Sequence, residues 1–205
     1  MNYILPLLVG FLAAFIGLIA PSMLNMTAAR TSIEKGKKAG IQFAAGAASV
    51  VFVQAFIAVT FAKYLVANPD VITKLKTAAI FVLLALSVFF FMQARKKFKA
   101  EGKDKKGNSY VVGLGMSSLN MLAIPFYLAM ATLAESKGWM PIEQPYSTVF
   151  VVGAVLGAFS LFATYASFAE IIAEKAQFIA KNINYILSVL FIVLAIATAV
   201  QVFAA

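Results

Sequence analysis

The chain has 205 residues, of which 62% are hydrophobic and only 12% charged, with a formal net charge of +9. Soluble domains carry about a quarter charged residues, so an ordinary water-soluble globule is excluded. Cysteine and histidine are both absent, which removes disulfides, thiolate metal sites and the usual near-neutral proton shuttle, and leaves heme, zinc and redox chemistry without obvious ligands.

The 25 charged residues leave six charge-free stretches: residues 1–29, 39–62, 77–94, 107–134, 144–169 and 182–205. A hydrocarbon core about 30 Å thick needs roughly 20 apolar residues of helix, so the pattern predicts six transmembrane helices. Residues 80–91 do not alternate polar and apolar, which excludes a porin-like barrel.

The first stretch lacks a basic start and a small-residue cleavage site, and is read as a retained span rather than a cleaved signal peptide. It contains Gly17-Leu-Ile-Ala-Pro21-Ser22-Met-Leu-Asn25. Pro21 cannot bond back to the carbonyl of Gly17, so a kink or break is expected there, with Ser22 and Asn25 just beyond it. The second helix opens Gly36-Lys37-Lys38-Ala39-Gly40, continues to Gly46, and carries Gln42, Ser49 and Gln54. Asn68-Pro69 marks the turn into the third helix. The run from Arg95 to Lys106 is read as a solvated connector and topology determinant, not a nucleic-acid patch.

Helix four repeats the first pattern as Ser117-Ser118-Leu-Asn120-Met-Leu-Ala-Ile-Pro125, where Pro125 is expected to free the carbonyl of Met121. The fourth loop places Trp139 and Tyr146 where interfacial aromatic anchors belong. Helix five carries Ser160, Thr164 and Tyr165, and its Gly153-to-Gly157 face suits helix association within the chain or in a homo-oligomer.

The first, third and fifth loops hold thirteen Lys and Arg, the other two hold four. The positive-inside rule then puts the odd loops in the cytoplasm and both termini outside. The fold class is an all-α membrane protein of one transmembrane domain over residues 1–205, with a first half at 1–94, a basic loop at 95–108 and a second half at 109–205. Two three-helix halves must be inverted, because an odd number of spans reverses direction. Leu24-Asn25-Met26 recurs as Leu119-Asn120-Met121, 95 positions on, whereas pairing Pro21 with Pro125 needs 104; the two registers disagree.

Broken hydrophobic segments at matching positions point to a transport site, since freed carbonyls and half-helix ends can replace a solute's water shell. Gly17, Pro21, Ser22, Asn25, Ser118, Asn120 and Pro125 are therefore the expected substrate-binding residues. The competing use of these groups is packing glue between helices.

Pro21, Gly36, Lys37, Lys38, Ala39-Gly40 and Gly46 together resemble the amino-terminal signature of the LysE-type (lysine exporter, or homoserine and threonine exporter) superfamily of bacterial transporters. In that family a Pro-Gly-Pro in helix one precedes a Gly-Arg-Arg-Ala-Gly-like loop and a glycine-rich second helix. Here the first motif reads Pro21-Ser22-Met23, and the family's fourth-helix Asn-Pro reads Asn120-Met121 with the proline at Pro125. The resemblance implies a divergent exporter in the bacterial plasma membrane, with Pro21, Gly36, Lys37, Lys38, Gly40, Gly46 and Asn120 carried over.

None of the six stretches contains a carboxylate, so a bare cation would cross without a counter-charge. A zwitterion asks less, its carboxylate facing helix N–H groups and its ammonium facing carbonyls and Asn oxygens. The expected cargo is a neutral amino acid or similar small polar solute, with membrane lipids as the other partner and no cofactor, catalytic residue or metal ligand. Glu34 and Glu170 are read as solvated boundary residues rather than proton carriers. A non-transporting membrane scaffold and a divergent ion carrier of the same superfamily remain the alternatives.

Overall fold

The computed structural model describes residues 3–68, 107–120 and 122–203, together with 71, 80, 81, 83–85, 87, 88, 91 and 92; the side chains of 173–184, 187, 202 and 203 are not described. The described elements are all helical: α1 (Ile4–Gly17), α2 (Met23–Lys35), α3 (Lys37–Ala67), α4 (Ser109–Ser118), α5 (Ala123–Ser136), α6 (Tyr146–Ser167) and α7 (Ala169–Phe203). The described residues from 80 to 92 are helical too. The basic run from Arg95 to Lys106 lies outside the described residues.

By length and composition α3 and α6 are each able to cross a membrane, and α4 with α5, bent by 70°, make a third candidate span. α1 and the Ser188–Gln201 part of α7 are shorter apolar helices. The first and fourth charge-free stretches are thus each two helices in tandem, interrupted at residues 18–22 and 119–122.

Local chemistry explains where these helices start and stop. Ser22 is extended (φ −118°, ψ 168°) and its Oγ accepts from the Asn25 N–H at 3.3 Å, an N-cap for α2. Asn108 caps α4 in the same way through the Tyr110 N–H at 2.9 Å. Gly36 alone separates α2 from α3; its φ of +86° is open to glycine and strained for any other residue. α5 closes with the Trp139 N–H on the Ala134 carbonyl and the Gly138 N–H on that of Glu135, with Gly138 at φ +68°, the paired bonding of a Schellman cap.

The chain divides into two compact units, Met1–Lys63 with Ala100–Glu174, and Tyr64–Lys99 with Lys175–Ala205. In the first unit the buried face of α3 is built largely of alanine (Ala44, Ala47, Ala55, Ala58 and Ala62), while Phe52, Phe56, Ile57 and Phe61 are exposed. Small residues inside and bulky apolar residues outside reverse the soluble arrangement and suit a lipid solvent, where close backbone approach replaces the hydrophobic effect between helices.

That approach is reciprocal. A Cβ on Gly10 of α1 would strike the Phe150 carbonyl of α6, and one on Gly153 of α6 would strike the Leu7 carbonyl of α1. Likewise a Cβ on Gly113 of α4 would strike the Phe43 carbonyl of α3, and one on Gly46 of α3 that of Tyr110 in α4. Gly10 and Gly113 are 103 positions apart and Gly46 and Gly153 are 107 apart, and their partners Leu7 and Tyr110, and Phe43 and Phe150, keep those same spacings. The first spacing lies one residue from the register that aligns Pro21 with Pro125.

In the second unit, the buried Ser87 and Ser188 exchange bonds: each Oγ donates to the other's carbonyl at 3.0 Å. Phe91 packs edge-on to Tyr185, with ring centroids 6.3 Å apart.

A paired substitution tests the close contacts. Gly113→Ala, aimed at a backbone carbonyl, is expected to abolish monodisperse protein after detergent extraction. Gly115→Ala two residues on has nothing within 4 Å of its Cβ and is expected to gain about 0.5–1 kcal/mol of helix stability, read as a raised unfolding midpoint.

Candidate functional site

The first break carries three successive carbonyls that no helix turn satisfies with a bond, and side chains take all three. The Asn25 Nδ2 donates to the carbonyls of Leu18 at 2.7 Å and Ala20 at 2.9 Å. The Tyr165 hydroxyl, reaching from α6, donates to that of Ile19 at 2.7 Å. Asn25 is 1% exposed, and with both amide hydrogens spent its Oδ1 has no partner among the described residues.

The second break is held from α3. Gln54 Nε2 donates to the carbonyls of Ser117 at 3.1 Å and Asn120 at 3.3 Å. Gln54 is 6% exposed, and its Oε1, like the Asn25 Oδ1, is buried and unpartnered. A third such group is the hydroxyl of Tyr127, in α5 beside Phe126. Because buried polar atoms are almost always bonded, the two such oxygens on side chains that hold the breaks, those of Asn25 and Gln54, call for an explanation.

The two broken helices touch. Gly17 ends α1 against the ring of Phe126, which follows Pro125, so that a Cβ at position 17 would collide with Phe126 Cζ. α2 also packs on α4.

The residues expected from sequence fall out unequally. Gly17 and Asn25 sit at the first break in the roles just described; Pro21 is half-buried within it, and the exposed Ser22 caps α2. Asn120 contributes its carbonyl, held by Gln54. Ser118 is exposed and turns its hydroxyl back to the Leu114 carbonyl at 2.9 Å, the bonding of an ordinary intrahelical serine.

Pro125 differs from expectation. It does not interrupt the helix, because the interruption lies at residues 119–122 and Pro125 is the third residue of α5. The first four N–H groups of a helix have no intrahelical acceptor, so a proline there forfeits no bond. Met121, whose carbonyl it was expected to free, lies outside the described residues.

Gln54 and Tyr165 were legible only as polar residues on apolar helices, yet they grip the breaks. Of the other polar residues on these helices, Thr164 donates to the Ser160 carbonyl at 2.8 Å, and Ser49 bonds the Ala45 carbonyl and the Tyr110 hydroxyl, both at 2.9 Å.

Away from the breaks, a cavity of about 360 Å³ opens between the α2–α3 and α6–α7 turns, lined by Ser32, Lys37, Ser167 and Glu170 among others. Gly40 sits nearby, where a Cβ would stand 2.8 Å from those of Ser32 and Ala166. Glu170 is exposed in the first turn of α7, where the helix dipole favours an acid. Glu34 pairs with Arg30 one turn away on the exposed surface of α2.

A protein-family model, described as LysE type translocator, matches residues 15–202. No curated protein and no solved structure matches the chain.

Tyr165→Phe removes the only described donor to the Ile19 carbonyl, together with the hydroxyl's contact with the Asn25 side chain. It is expected to cost about 1 kcal/mol, the net worth of a typical hydrogen bond, and to lower the unfolding midpoint of the purified protein; an unchanged midpoint would show that the first break does not depend on this bond.

Proposed function

This chain belongs to the LysE type translocator family, a multi-pass family of the cytoplasmic membrane that moves small solutes and does no enzymatic chemistry, and within it we propose that the chain exports a small neutral amino acid or similar polar solute by alternating access. The observation that carries this reading is the meeting of two broken helices, each with a buried amide at its interruption. A helix broken only for packing needs its carbonyls satisfied; these breaks have in addition buried oxygens left over for a ligand.

On this reading six spans form two inverted three-helix halves. The exchange of glycine contacts between α1 and α6 and between α3 and α4 supports it, as does the mutual bonding of Ser87 and Ser188, 101 positions apart. An inverted repeat makes such exchanges natural, because each element meets its counterpart's partner. The excess of Lys and Arg on the odd loops supports placing those loops in the cytoplasm and both termini outside.

Gly17, Pro21, Ser22, Asn25, Ser118, Asn120 and Pro125 form the pathway around the breaks, with Asn25 and Asn120 as the principal contacts. No carboxylate interrupts the charge-free stretches, so the pathway carries a zwitterion whose own carboxylate balances its ammonium.

Cells preloaded with labelled leucine, threonine or lysine test this. The chain is expected to speed efflux of leucine or threonine, and Asn25→Leu and Asn120→Leu to cut that efflux roughly tenfold or more while still inserting. Export of lysine alone would refute a neutral cargo, and unchanged flux in both variants would remove these residues from the pathway.

A further inference from the structure

The Asn25 and Gln54 amides share an arrangement in which the N–H groups hold a break and the oxygen is left over. Each spends both N–H bonds on two carbonyls of a break, Asn25 on Leu18 and Ala20, Gln54 on Ser117 and Asn120. That double anchoring fixes which way round the amide sits, since turning it over would set its oxygen against two carbonyl oxygens. The free end of each side chain is therefore an acceptor only. Both oxygens are buried without a donor among the described residues, an arrangement that costs as much as a hydrogen bond is worth unless something supplies the donor.

We propose that Gln54 is a cargo-binding residue, its Oε1 accepting a hydrogen bond from the primary ammonium of the cargo as the Oδ1 of Asn25 does at the other break. An ammonium brings three donors and no acceptor, the complement of neutral oxygens held in fixed directions. A carboxylate finds no donor at either atom and is turned to other groups, which orients a zwitterion. Because the amides are uncharged, they bind without burying a counter-ion, in keeping with spans that hold no acid. The pairing also explains why a glutamine, costly in an apolar helix, stands at position 54 of α3.

The proposal rests on the chain being an amino-acid carrier, and the test separates the two. Full-length protein in liposomes is assayed by counterflow of labelled leucine against leucine and its N,N,N-trimethyl derivative, which keeps the positive charge and has no N–H. Wild type is expected to favour leucine by tenfold or more. Gln54→Leu, and Gln54→Met as a second variant of similar length, are expected to raise the half-saturation concentration for leucine about tenfold and to shrink the preference over the trimethyl derivative several-fold. A glutamine that only props the second break would lower the rate for both compounds alike and leave their ratio untouched, and that result overturns the proposal. Equal competition by the two compounds in wild type overturns it as well, whether or not either variant folds. Flux that disappears when sodium is replaced by potassium, with no preference between the two compounds, assigns the oxygens to a metal cation instead and also overturns it. Wild-type protein inactive toward leucine, threonine and lysine would refute the carrier reading itself, whereas active wild type with unaltered Gln54 variants would refute only the role of Gln54.

Discussion

A carbonyl freed from its helix inside a membrane has no water to turn to, and the first unit is organised around meeting that demand. Interrupting α1 from α2 exposes three consecutive carbonyls, and the chain answers with Asn25 from just beyond the gap and Tyr165 from 146 positions away. Interrupting α4 from α5 draws Gln54 from α3. Without their donors the three carbonyls of the first break would each cost several kcal/mol in hydrocarbon, so that break and the side chains that grip it have to occur together; at the second, the carbonyls of Ser117 and Asn120 also accept from the N–H groups of Asn120 and Ala123.

Holding the donors in reach requires helices whose backbones nearly touch. Glycines and alanines on the contacting faces of α1, α3, α4 and α6 bring this about, and the bulky side chains they displace go to the outer surface. In lipid that outward display carries no penalty, because the acyl chains are as apolar as the side chains. The same small-residue faces would be a poor core in water, where burial of large groups supplies the stability.

Much of the helical plan was legible in the spacing of charges, because a charge is the one thing a span cannot ignore. The residues around the breaks were harder to place. Asn25 was readable because it lies a few residues from the proline whose break it serves. Pro125 misled because proline interrupts a helix only where one already runs behind it, and nothing local says that α5 begins just two residues before it. Gln54 and Tyr165 were visible as polar side chains, but which carbonyl each reaches depends on helices far apart in sequence. The glycines of the amino-terminal motif acquire separate reasons: Gly36 for a positive φ, Gly40 for room against Ser32 and Ala166, and Gly46 for contact with the Tyr110 carbonyl.

The shortness of α1 bears on how the protein is made. Its 14 residues reach about 21 Å, less than a hydrocarbon core about 30 Å thick, and its glycine face is matched to α6. Gly10 meets Phe150, 140 positions later, which at ordinary rates of synthesis emerges roughly 7–28 s afterwards. Throughout that interval the first half-helix has no partner for its packing face and the Ile19 carbonyl has no tyrosine. A segment made well before α6 thus waits for its final contacts, which form only when the fifth charge-free stretch arrives.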